Sequence, residues 1–290
     1  MGDRILHNIM PLLKVIAFVF FIFLSLLPFG LIAQMDFIAI PQNSILSDIV
    51  LESALVIVVI SALLMMFQTF PDLNFSNVFV VKQNALIGFL KGSSIGFILI
   101  LLAGGLLYAL GYVSLSFGKI SAAVFIGYFF FFLLVAVFEE LMFRTIPLFV
   151  FAERYHFIFA IVINGMLFGF IHMGNPGFTW LAMLNITLAG ALFSIYTLLK
   201  KNISWAIGIH FSWNFAQGTL LGYKVSGTNS QGILIAKPIG PEYLSGGNFG
   251  IEGSLICSIL LILLIVWLLL KSKFEPIESS SYLIETDIKE

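Results

Sequence analysis

Five ionisable residues stand well inside apolar stretches of this sequence: Glu139, Glu140, Arg144, His172 and His210. A charge at mid-bilayer costs roughly 2.5–3.5 kcal/mol on insertion scales, so such groups persist where they are paired or functional. In VAVFEELMFRTIP, residues 135–147, Glu140 and Arg144 are four apart on one helical face, with the acid on the N-terminal side as an ion pair prefers. Glu139 is turned about 100° from Glu140. The spacing divides the labour: Arg144 neutralises Glu140, and Glu139 stays available for chemistry. In FGFIHMGN, residues 168–175, Phe168 lies one turn before His172 as its packing neighbour. In GIHFSWNF, residues 208–215, His210 and Asn214 project from one face. They either glue helices by hydrogen bonds or donate to an oxygen that becomes negative in a transition state. A purely structural reading makes the whole set an ion-pair knot between helices. Glu52 and Glu252 stand near the ends of apolar runs, where reach toward the headgroups is reason enough for them.

Such groups need membrane helices to hold them. The chain has 290 residues, 60% hydrophobic and 10% charged, with a mean hydropathy of +1.08. No soluble domain hides that much apolar surface, so an all-α polytopic membrane protein is expected. The net charge of -1, without a basic patch, gives no footing for nucleic acid. The single Cys257 excludes an intramolecular disulfide and a cysteine-cluster metal site.

A span needs about 20 mostly apolar residues. The runs Leu12–Ala33, Ile49–Phe67, Leu86–Val113, Ser121–Phe143, His156–Met173, Phe178–Leu199, Ile203–Tyr223 and Gly250–Leu270 make about eight transmembrane helices. The first is too long for a signal-peptide core and lacks a clear cleavage site, so it reads as a retained span. Residues 12–270 then form one membrane domain with the chemistry in 121–223. Residues 1–11 are a cytoplasmic N-terminal stretch and 271–290 a polar cytoplasmic tail.

With the N-terminus inside, Arg4, Lys14, Lys82, Lys91, Arg154, Lys200, Lys201, Lys271, Lys273 and Lys289 fall on the cytoplasmic side, and Lys119, Lys224 and Lys237 outside. The expectation is a multi-pass cell-membrane protein with both termini cytoplasmic. The Gly/Ser/Asn-rich segment Lys224–Phe249 reads as an outside connector, with a lid as the alternative.

The three segments EELMFR, FGFIH and HFSWN, in that order on successive helices, resemble the EExxxR, FxxxH and HxxxN or HxxxD motifs of the CAAX protease and bacteriocin-processing family, the CPBP or Abi glutamic intramembrane proteases. The likeness covers roughly Ser121–Tyr223. It implies peptide hydrolysis within the bilayer, without a covalent intermediate. By motif, Glu139 is the general base on a water, and His172 orients that water or shares its proton. His210 and Asn214 form an oxyanion hole, while Glu140, Arg144 and Phe168 support the site. Water attack on an amide needs such a base and such donors.

One geometric demand follows. Motif placement puts Glu139 toward the cytoplasmic half, whereas His172 lies about 24 Å along its helix from His156. The two meet only if the fourth helix continues to about Phe151 or the chain breaks near Pro147–Tyr155. No metal is expected, because the HExxH spacing is absent; a zinc site of Glu139, His172 and His210 is the minority reading. The expected partners are a membrane-associated peptide or protein substrate, prenylated or a leader or pheromone, and the lipid bilayer. The competing readings are a non-proteolytic immunity or scaffold protein, and a proton-coupled transporter built on the same buried groups.

Overall fold

The computed structural model describes residues 2–33, 44–275 and 277. It is 72% helical, an all-α bundle of α1 (Gly2–Ala33), α2 (Ile45–Thr69), α3 (Ala85–Ala109), α4 (Ala122–Arg144), α5 (Ile146–Arg154), α6 (Phe157–Ile171), α7 (Trp180–Lys200), α8 (Ser204–Phe215), the single turn α9 (Glu242–Ser245) and α10 (Leu255–Lys271). Hydroxyl side chains start several of these: Ser44, Ser121, Thr179 and Ser254 each accept from a backbone N–H three residues on. A two-stranded antiparallel ribbon joins β1 (Val113–Phe117) to β2 (Leu234–Pro238), with Val113 opposite Pro238.

Each expected apolar run contains a helix, and six stretches among the described residues are long and apolar enough to cross a membrane. The seventh run is interrupted, since α8 gives way at Ala216 to a π turn through Leu220. The eighth, α10, has 17 residues. Helix α1 already begins at Gly2, so residues 2–11 of the expected N-terminal stretch are part of the first helix. Most of the expected tail 271–290, with Lys289, and the side chain of Arg4 lie outside the described residues.

Two ends of the bundle are distinct. At one, the Tyr155 hydroxyl donates to Asn8 O at 2.6 Å, Lys14 pairs with Asp72 at 2.5 Å, Asn202 Nδ2 donates to Gln83 O at 3.0 Å and Lys201 meets Glu275 at 2.9 Å. At the other, the β ribbon lies beside a folded loop. There Asn175 Nδ2 donates to Ser226 O at 2.9 Å and Gly227 N to Phe249 O at 2.8 Å. A Cβ at Gly227 would come within 1.9 Å of Pro176 O, so glycine alone permits this approach. The segment read as a connector is therefore ordered and packed against the turn after α6.

Helix α8 is sunk into the core by backbone contact with α3. A Cβ at Gly92 would meet Trp205 O at 2.3 Å, and one at Gly208 would meet Phe89 O at 2.2 Å. Helix α4 stops at Arg144 because Thr145 leaves the helical region, at φ −92° and ψ −108°. Pro147 follows in the first turn of α5, where its missing N–H costs no hydrogen bond. The two helices form one apolar stretch of 33 residues, Ala122–Arg154. The sequence asked for a continuation to about Phe151 or a break near Pro147–Tyr155; the chain bends earlier, at Thr145, continues through α5 to Arg154, and breaks again before α6.

Candidate active site

The support pair lies in the bundle interior, where Glu140 and Arg144 are both fully buried. Arg144 Nε stands 3.0 Å from Glu140 Oε2, close enough for an ion pair but poorly aligned for a hydrogen bond. Alignment comes from elsewhere. Arg144 Nη2 donates to Gly190 O at 3.1 Å, and His210 Nδ1 donates to Glu140 Oε1 at 2.9 Å. The guanidinium carbon lies 4.4 Å from the Phe168 ring centre and 5.2 Å from that of Phe193, so aromatic faces supply much of its surroundings. Phe193 also stacks on His210, centroids 5.1 Å apart and 16° from parallel. Asn164 Nδ2 caps Phe143 O at 2.6 Å and its Oδ1 accepts from Ser194 Oγ at 3.0 Å. This satisfies buried backbone where α4 ends.

Glu139 turns the other way, into a cavity of about 200 Å³. The break after α4 lets α6 cross so that its C-terminal His172 stands beside this carboxylate. His172 Nε2 is 4.0 Å and His210 Nε2 3.8 Å from Glu139 Oε2. Phe168 O, which only accepts, takes His172 Nδ1–H at 2.8 Å. Both imidazoles are thus pinned through Nδ1 and present Nε2 to Glu139. The separations exceed a direct hydrogen bond and match a bridging water. Asn214, one turn beyond His210, lines the same cavity. All seven residues singled out in the sequence are gathered at one place: Glu139, Phe168, His172, His210 and Asn214 around the cavity, Glu140 and Arg144 behind them. Glu139 lies midway along the 122–154 stretch, not in the half joined by Asn8, Gln83 and Tyr155.

Two further acids belong to the cavity. Glu52 and Glu252 do not reach for headgroups; both line the cavity. Glu52 sits two turns inside α2, on the side packed against α4, with Oε2 buried. Glu252 is 3% exposed because it belongs to a 3-10 turn ahead of α10 and not to the span. Gln217, displaced inward by the π turn, donates Nε2 to Glu252 Oε2 and to Lys224 O, the latter at 2.7 Å. The i,i+4 pair Asp48–Glu52 offered a faint signal for one acid; the glycine-rich GGNFGIEG around the other offered none.

Among the described residues no group of three or more His, Cys, Asp or Glu is gathered tightly enough to hold a metal ion. Residues 121–216 match the family model described as Rce1-like: Type II CAAX prenyl endopeptidase Rce1-like. Over this stretch the chain is similar to that family. No curated protein and no solved structure matches the chain. The Rce1-like segment runs from the cap of α4 through α8 and holds every motif residue; Glu52 and Glu252 lie outside it. The likeness supports a CAAX-type membrane protease in general terms, and the apolar helices around the segment suit a protein embedded in a bilayer.

Proposed function

We propose that the chain is a glutamic intramembrane endopeptidase that hydrolyses a membrane-associated peptide, prenylated or of the leader or pheromone kind, without a metal. The observation that carries this reading is Glu139 Oε2 set before two Nδ1-pinned imidazoles in one cavity. Water held between Glu139 and His172 gives its proton to the carboxylate as its oxygen attacks the peptide carbonyl. The resulting oxyanion accepts from Asn214 Nδ2. His210 adds a second donor from Nε2 when both its nitrogens carry protons. Glu139 then passes the proton to the departing amine nitrogen, the C–N bond breaks, and the carboxylate is restored. Glu140, Arg144 and Phe168 hold His210 and the end of α4 in place throughout. The protein resides in the cell membrane with both termini cytoplasmic.

The test is cleavage of a prenylated peptide ending in Cys-aliphatic-aliphatic-X by the full chain in liposomes. Glu139→Gln and His172→Ala should abolish turnover, and wild-type turnover should persist in strong chelator. Equal cleavage by wild type and Glu139→Gln rejects the mechanism. Loss of turnover in chelator, restored by zinc, reinstates a metal.

A further inference from the structure

The cavity is not placed symmetrically between the two ends of the bundle. Its walls come from the C-terminal ends of α6 and α8, the N-terminal half of α7 and the middle of α4. Asn175, Ser226 and Thr228–Ser230 form its roof, at the end that carries the β ribbon. Toward the other end the site is filled. Arg144, Thr145, Asn164 and Ser194 make a fully buried polar layer, and beyond it Ile146 and Leu148 of α5 are fully buried against apolar neighbours. Access for water and peptide therefore lies under the 226–230 loop.

Charge tells which end this is. Lys82, Arg154, Lys200, Lys201, Lys271 and Lys273 gather at the filled end, where the loops are tied together by the Lys201–Glu275 and Asn202–Gln83 contacts. Among the described residues, only Lys119, Lys224 and Lys237 accompany the cavity roof. Short loops rich in Lys and Arg stay in the cytoplasm, so the roof faces away from it.

We infer that the catalytic cavity takes its substrate from the non-cytoplasmic side, as an exported peptide segment whose scissile bond lies in the outer leaflet. This rests on the proteolytic reading above and narrows it: a C-terminus that remains in the cytoplasm does not reach Glu139.

The experiment uses the full chain in a Cys257→Ala background, with N229C on the exposed face of the roof and K201C at the opposite end as single thiol probes. A membrane-impermeant maleimide added to intact cells should label N229C and spare K201C until the cells are permeabilised. The reverse pattern overturns the inference. This readout needs no turnover, so it is separate from the proteolytic reading, which fails if vesicles of both orientations give no Glu139-dependent cleavage. An impermeant peptide cleaved by right-side-out vesicles and spared by inverted ones supports the inference; the opposite preference overturns it.

Discussion

His210 is bonded through Nδ1 to Glu140 Oε1 at 2.9 Å, so the glutamate that neutralises Arg144 also aims the ring whose Nε2 faces Glu139. Adjacent acids in one motif thus act through the same histidine. Glu140 sets its orientation from behind, and Glu139 meets it across the cavity. Loss of Glu140 is then felt twice, as an unpaired buried cation and as an unmoored imidazole.

These two effects separate experimentally. Glu140→Ala should destabilise the protein by about 3–5 kcal/mol, because the Arg144 charge is left buried without its partner. The double variant Glu140→Leu/Arg144→Met should recover most of that stability in a thermal melt in detergent, since an apolar pair can replace a buried ion pair. Its cleavage should stay absent, because nothing then fastens His210. A double variant as active as wild type would deny Glu140 its orienting part.

Asn214→Ala addresses the opposite wall. If its amide serves the oxyanion, kcat falls about 10²–10³-fold with KM little changed, the mark of an interaction made in the transition state. A change confined to KM would assign Asn214 to substrate binding.

The division between Glu139 and Glu140, the pairing with Arg144 and the order of the helices were legible because each depends on local spacing. A 3.6-residue period states which side chains share a face, and the cost of charge in hydrocarbon singles out the few that matter. The meeting of Glu139 with His172 was legible only as a demand, satisfied by the turn at Thr145 and the continuation into α5. The roof was not legible. Glu252 reaches the cavity through a 3-10 turn, a π turn that carries Gln217 inward, and glycines at close approaches, none of which has a periodic signature. Glu52 was hidden for a different reason: a residue two turns from a helix start looks interfacial until a neighbouring helix covers it.

Gln217 ties the roof to the site, and its removal should loosen the one more than the other. Gln217→Leu deletes the bonds to Glu252 and to Lys224 O while filling the same space. Hydrogen exchange at residues 225–230 should quicken, and turnover should fall severalfold with the melting temperature changed little. Unaltered exchange in that loop would mean that Gly227 and Asn175 hold it unaided.

The cavity lining carries the carboxyls of Glu52, Glu139 and Glu252 and, among the described residues, no lysine or arginine, since Arg144 lies behind Phe168. A substrate that brings an acidic side chain beside its scissile bond meets like charges in a site with little water to screen them. Peptides with Asp at the positions flanking that bond should be cleaved about tenfold less efficiently than those with Asn, a penalty near 1.4 kcal/mol. Glu52→Gln/Glu252→Gln removes two of the three carboxyls and leaves the Glu139 base in place. The double variant should narrow the Asp-to-Asn gap while cleaving the Asn peptide at nearly the wild-type rate. Retention of the full gap would place the discrimination at Glu139 itself, and a wild type indifferent to Asp would show that these carboxyls are remote from the bound peptide.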